Sequence, residues 1–243
     1  MSSKFFFIFL FALFVIGAVA IHVISRKKGK PEKINAWKKF FVYFFIIYAI
    51  FLCIVYLPVL FRAICFLLVL GGAFEIVRLQ LKSQQRLAWS KFCLYLATYI
   101  AFAVLFLFFT FENVEIQMLT VFAVCTFDAF SQLSGQLFGK RKIAPRISPN
   151  KTLGGLVGGA CSALILGIIA NFNSEFEIIT MIILILCAVA ASFVGDLLAS
   201  YVKRQYAVKD YGSLLPGHGG ILDRFDSLIV AGSVIFLLNF IYC

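Results

Sequence analysis

Apolar residues run through this chain in long unbroken stretches, not in the alternating or every-third-residue patterns of half-buried strands and surface helices. Stretches at about 4–24, 38–60, 61–79, 88–110, 116–138, 153–171, 176–198 and 225–243 each approach or exceed the roughly 18 residues that cross a hydrocarbon core about 30 Å thick. The second and third are parted only by the segment Pro58 to Arg62. Backbone N–H and C=O groups cannot stay unpaired in lipid, so these stretches predict helices. The fold class expected is all-α: a polytopic membrane protein of about eight transmembrane helices.

Composition agrees with that pattern. The 243 residues are 63% hydrophobic with thirty Phe, and the mean hydropathy is +1.01. Charge adds orientation. Residues 25–39, 78–91, 139–151 and 200–224 hold 20 of the 22 Lys and Arg, in alternate connectors. The connectors between them carry Glu112, Glu115, Glu175 and Glu177, with Arg62 as the one basic exception. Positive connectors stay cytoplasmic, so both termini are expected outside. Ala18-Val19-Ala20 resembles a signal-peptidase site, but the basic cluster follows the first stretch instead of preceding it, which favours an uncleaved anchor. The net charge of +11 does not predict a nucleic-acid partner: no binding motif accompanies it, and cations spread over one membrane face meet anionic lipid headgroups. The seven Cys lie in or beside apolar stretches without metal-ligand spacing and are expected to be reduced packing residues.

The chemistry sits in the few polar residues. All five Asp (128, 196, 210, 223 and 226) fall in the second half, and Asp128 and Asp196 lie inside or at the inner end of apolar helices, where a carboxylate is costly and marks function. Ser131, Gln132 and Gly135 share the helix face of Asp128. That stripe fits either the wall of a polar cavity opening to the cytoplasmic face or a close helix contact through small residues. The segment Ser148-Pro-Asn-Lys151-Thr152, just before two glycines and a helix start, offers a cation and hydroxyls to an anion.

The densest cluster spans residues 200–226. Ser200 lies one turn from Asp196, and Asp226 one turn from Asp223, so two carboxylate-bearing helix ends can face one another across a Pro/Gly connector. Carboxylates together with phosphate oxygens suit Mg²⁺. Lys203, Arg204, Lys209 and Arg224 can neutralise phosphate, and Gly219-Gly220 permits close backbone approach to a ligand.

Residues 200–226 also match, at every specified position, the signature S-x-apolar-K-R-x₄-K-D-x-small-x₂-apolar-P-x-H-G-G-apolar-x-D-R-apolar-D, and by it the chain resembles the phosphatidate cytidylyltransferases. Asp128 onward and Ser148–Thr152 resemble that family's earlier Asp helix and S-P-K-K-T loop, with Asn150 at a usually basic position. The resemblance covers about half the chain, from residue 125 onward. It implies a catalytic region at 121–243 behind a lipid-facing scaffold of four spans at 1–120, and transfer of CMP from CTP to phosphatidate with Mg²⁺. By it Asp196 and Asp223 hold the metal, and Asp226 supports them or holds a second cation. Asp128, Lys151, Lys203 and Asp226 form the catalytic set; Lys151, Lys203, Arg204 and Lys209 meet phosphates. Ser148, Ser200, Asp210, His218, Gly219, Gly220 and Arg224 complete the substrate site, His218 as a phosphate donor or loop organiser. The chain departs from the family at Ala199 and at Leu153-Gly154-Gly155, where carboxylates are common. Implied partners are CTP, a lipid phosphate and membrane lipids, with a homodimer as one assembly; a bacterial inner membrane is the expected location. Three other readings are a relative using another lipid or polyprenyl phosphate, a transporter of an anionic solute, and a non-catalytic paralogue.

Overall fold

The computed structural model describes residues 3–25, 30–83, 86–170, 176–212 and 219–242. Eight helices follow one another: α1 (Ser3–Ser25), α2 (Lys30–Tyr56), α3 (Pro58–Lys82), α4 (Trp89–Phe109), α5 (Val114–Phe138), α6 (Leu153–Ala170), α7 (Ile178–Gln205) and α8 (Leu222–Tyr242). Every predicted span has its helix, and the fold is that of an all-α polytopic membrane protein. α3 to α8 are each long and apolar enough to cross a bilayer. In α1 and α2 the apolar windows among the described residues are shorter, Phe5–Val19 and Phe40–Tyr56. Large apolar side chains such as Leu67, Leu94, Ile179 and Phe240 are exposed, as lipid-facing residues are.

Helix ends differ from hydropathy ends for a physical reason. The apolar stretch marks what lies in lipid, whereas intrahelical hydrogen bonds continue into polar sequence. Thus α7 runs on to Gln205, carrying Ser200 and Lys203 beyond its apolar part. Pro58 opens α3 at the first helical position, where its missing N–H leaves nothing unpaired, and so splits α2 from α3 without a loop.

Between α5 and α6 the chain forms a small antiparallel hairpin, β1 (Lys142–Ala144) and β2 (Ser148–Thr152), where the sequence suggests only a basic loop. Lys142 pairs with Thr152 and Ala144 with Ser148, with a register shift between them. Pro145 stands at the second position of the turn closed by Ile147 N–H donating to Ala144 O at 3.1 Å.

Two compact units are distinguished, residues 1–61 with 170–175, and residues 62–169 with 176–243. In the first, α1 and α2 pack through aromatic rings, with Phe6 against Phe51 at 4.8 Å and Phe14 against Phe44 at 4.6 Å between centroids. In the second, α8 packs against α7, α4 and α5. Small residues allow this. A Cβ at Gly195 of α7 would lie 2.9 Å from Val230 of α8, and one at Gly232 of α8 would lie 2.7 Å from the Phe106 ring of α4. Ser233 Oγ donates across to Phe102 O at 2.6 Å.

The α5–α6 seam is closer still. A Cβ at Gly155 would lie 2.7 Å from Ser131 O, and one at Gly159 would lie 2.8 Å from Ser131 Cβ. The stripe Ser131–Gly135 therefore serves close helix packing on this side. Gly155→Val is expected to wedge α5 from α6, costing about 1–3 kcal/mol as overpacking does. Thermal unfolding in detergent measures it; an unchanged midpoint would contradict the seam.

The second unit has two chemically distinct ends. At one lie the C-termini of α3, α5 and α7, the N-termini of α6 and α8, and the hairpin, which gathers the basic residues Arg78, Lys82, Lys140, Arg141, Lys151, Lys203, Arg204 and Arg224 as the charge alternation predicts. At the other, Arg62 explains itself: it donates to Thr110 O at 3.3 Å, near the C-terminus of α4, and its guanidinium lies 4.3 Å from the Phe111 ring centre. Gln117 bonds the Thr110 and Glu112 carbonyls, and Asn239 donates to Glu112 at 2.7 Å. None of the six described Cys forms a disulfide.

Candidate active site

The polar overhang of α7 places Asp196, Ser200 and Lys203 along one face. Ser200 Oγ donates to Asp196 Oδ1 at 3.3 Å, as their one-turn spacing predicts. From β2, Lys151 Nζ meets Asp196 Oδ2 at 2.7 Å. The same ammonium lies 4.6 Å from the centre of the Phe193 ring.

Asp223 supplies the facing carboxylate from the first turn of α8. Its Oδ1 accepts from Lys203 Nζ at 2.7 Å, and its Oδ2 accepts the backbone N–H of Tyr211 at 2.8 Å and of Gly220 at 2.9 Å. The pair is buried, with side chains 11% and 5% exposed. An ion pair so far from water holds only when further hydrogen bonds satisfy its oxygens, and the two N–H groups do that here. Tyr211 secures the chain between α7 and α8 by donating its hydroxyl to Ala199 O at 3.0 Å. Burial pushes its phenol well above the usual range, with the Asp226 and Asp223 charges adding to the shift, so the hydroxyl remains a donor.

Asp226, one turn beyond Asp223, is buried and accepts from Ser227 N and Oγ at 2.7 and 3.2 Å. Asp128 of α5 lies within Coulombic range of Asp196, Asp226 and Lys151. α5, α7 and α8 thus each bring a carboxylate to one locality, attended by Lys151 and Lys203.

The remaining expected residues spread outward. Arg204 donates to Ile147 O at 3.2 Å and to Val208 O at 3.0 Å, joining the hairpin tip to the end of α7. Ser148 pairs with Ala144 in the hairpin. Lys209, Asp210 and Arg224 are exposed beside the site. Gly219 has φ +83°, in the left-handed region that favours glycine, and Gly220 faces the carboxylate of Glu75. His218 lies outside the described residues.

Sequence reasoning passed over Glu75. It is fully buried in α3 and accepts the N–H groups of Ile221 and Leu222, both at 2.9 Å. The available signal was a lone acidic residue within the apolar run of α3. Gln80 was also passed over: buried, it bonds both N–H and C=O of Leu87 and receives the Tyr206 hydroxyl at 2.8 Å. At the departures from the family pattern, Ala199 offers its carbonyl to Tyr211, and a Cβ at Gly154 would lie 2.8 Å from Phe138 O. The short side chain at 154 goes with a close approach of the end of α5.

The donor set suits a hard cation only in one manner. Among the described residues no three His, Cys, Asp or Glu are grouped as a metal cage. Asp196 and Asp223 each engage both oxygens with protein donors. Such carboxylates fit an ion that keeps waters and takes phosphate oxygens as its other ligands, which is how Mg²⁺ binds.

The chain is similar to named proteins over about half of its length. The chain is 39% identical over 132 residues to the phosphatidate cytidylyltransferase of Rickettsia felis, covering 50% of this chain and 57% of that one. It is 39% identical over 153 residues to the one of Staphylococcus saprophyticus (62% and 58%), and 43% identical over 117 residues to the one of Bacillus subtilis (47% and 41%). Each match spans less than two thirds of the relative's own length. The Cytidylyltransferase family pattern extends further, from residue 1 to residue 242, through the apolar helices as well as the carboxylate end. With a match over nearly its whole length, the chain belongs to the cytidylyltransferase family.

Proposed function

We propose that this protein transfers CMP from CTP to a lipid phosphate, phosphatidate before others, giving CDP-diacylglycerol and pyrophosphate. The carrying observation is the meeting of Lys151–Asp196 and Lys203–Asp223 at the polar end of a bundle whose walls face lipid. The names of the relatives support the same reaction, and neither transport nor a non-catalytic role draws support from them.

In the reaction an ionised phosphatidate oxygen attacks the α-phosphorus of CTP, forming the new P–O bond as the bond to the β-phosphate bridging oxygen breaks. The electron pair leaves with pyrophosphate. Both reactants are anions, so catalysis rests on charge neutralisation and in-line positioning. Lys151 and Lys203 are suited to neutralise phosphate oxygens, because each ammonium is held at one carboxylate and keeps protons to donate. Arg204, tied by two carbonyls, presents a fixed positive charge beside them. No general base is required, and Asp128 and Asp226 act through the field they set on the two lysines. Asp196 and Asp223 would hold Mg²⁺, with Asp226 beside them for a second cation; bound there, magnesium supplies charge neutralisation to the pyrophosphate leaving group. The acyl chains of the acceptor stay in lipid while CTP arrives from water, which agrees with a site at the end of the helices and a cytoplasmic orientation in a bacterial inner membrane. The basic face also suits anionic membrane lipids.

The test supplies purified protein with CTP, Mg²⁺ and phosphatidate and follows pyrophosphate and the lipid product together. Formation of both is expected. Product with a polyprenyl phosphate but not phosphatidate would move the acceptor; silence with every lipid phosphate would remove the reaction.

A further inference from the structure

The start of α8 is held from outside its own helix. Its first N–H groups would ordinarily need a cap or an anion, because the first turn of a helix has no internal acceptors and carries partial positive charge. Glu75, reaching from α3, takes two of them: Oε1 accepts from Ile221 and Oε2 from Leu222, each at 2.9 Å. Gly220, the next residue back, donates instead to Asp223 Oδ2. Residues 220–222 are therefore fixed by two carboxylates, one local and one from a helix about 146 residues away in sequence.

The surroundings of Glu75 are cut to admit it. A Cβ at Gly220 would lie 2.6 Å from both of its oxygens, and one at Gly212 would lie 2.9 Å from Oε1. One turn earlier on α3, a Cβ at Gly71 would lie 2.7 Å from Ile221 Cδ1, so α3 is small where α8 begins. Neither Gly212 nor Gly220 has a positive φ, and close approach to this carboxylate is what the structure offers as the reason for their size.

We propose that Glu75 is a positioning residue of the CMP-transfer site: it occupies the anion seat at the start of α8 and so fixes Asp223 against Lys203. This rests on the reaction proposed above. Two consequences follow directly. The Ile221 and Leu222 N–H groups are closed to substrate phosphate, which falls to the Lys and Arg side chains. Any loosening of Glu75 is transmitted to Asp223 through the two N–H groups next to it in sequence.

Glu75→Gln tests this at nearly constant volume, because one amide NH₂ then faces a backbone N–H and half the cap is lost. Amide exchange of the segment 219–226 is expected to rise about tenfold, while exchange where Ser233 meets Phe102 stays unchanged. The half-saturating Mg²⁺ concentration is expected to rise about tenfold, as loss of a ligand's supporting partner does. A mere fall in folded fraction would leave that concentration unmoved. Gly220→Ala keeps Glu75 but pushes on it, and is expected to raise exchange in the same segment; in a Glu75→Ala background the added methyl should change exchange less than about twofold, since contacting residues are non-additive. Equal effects of Gly220→Ala in both backgrounds, or wild-type exchange in Glu75→Gln, would overturn the proposal. Exchange needs no turnover, so an inactive wild type would remove the reaction while the role of Glu75 at the α8 start is still decided.

Discussion

Asp223→Asn is expected to abolish all but a trace of CMP transfer, lowering turnover about 10²- to 10⁴-fold. The substitution preserves shape and removes one charge, so the effect is electrostatic. Lys203 loses its counter-ion while 11% exposed, and one of the three donors now on Asp223 meets an NH₂ group in place of an oxygen. Removing one partner of a buried pair costs about 3–5 kcal/mol. Spent on the barrier, that energy is the stated loss in rate. Part of it will appear as instability, and a second variant separates the two. Lys203→Met with Asp223→Asn removes both charges, while the amide oxygen still accepts the Tyr211 and Gly220 N–H groups, so no buried charge is left unpaired. The double variant should unfold near the wild-type temperature and remain inactive. Recovered turnover in it would show that the pair serves the fold alone. Pyrophosphate release and thermal unfolding, measured on the same preparations, give the answer.

Lys151→Met is the second large effect, and it should divide differently between rate and stability. Lys151 meets Asp196 as closely as Lys203 meets Asp223, but Asp196 is 38% exposed, so solvent screens the pair. Exposed pairs contribute about 0–1 kcal/mol, and the unfolding temperature should hardly move. Turnover should nevertheless fall about 10²- to 10³-fold, the usual cost of one charge-stabilising donor at a reacting centre. Arginine at 151 should restore little, because its planar fork needs more room than the ammonium beneath the Phe193 ring. If kcat/KM for CTP stays within twofold of wild type, Lys151 only anchors the hairpin.

The apolar helices were legible because lipid leaves the chain little choice: all eight appear, and the charge alternation anticipates which ends of the second unit are basic. Contacts one helical turn apart were legible for the same geometric reason, as Ser200 on Asp196 shows. Partners between elements were not. Nothing in spacing pairs Lys151 with Asp196, or Lys203 with Asp223 rather than Asp196, since those choices depend on how α7, α8 and β2 pack. The hairpin escaped notice because strands of three and five residues, with Pro149 in one, carry no alternation to read. Glu75 lies far in sequence from the signature segment 200–226 and from all five Asp. A lone carboxylate in an apolar helix was the cue, and its partners are backbone N–H groups that no residue pattern announces. Arg62 went the other way: an exception in the charge count, it has a local task at the end of α4.

The hairpin passes into α6 with no linker, β2 ending at Thr152 and α6 beginning at Leu153, while Leu153 N–H closes onto Arg141 O at 2.9 Å. Sequence length is therefore under constraint here, independent of residue identity. One residue deleted beside Thr152 would exchange the two faces of the strand, because strand side chains alternate, and would turn Lys151 away while presenting Asn150 to Asp196. Away from Lys151, a lineage carrying this hairpin can substitute along it more freely than it can change its length.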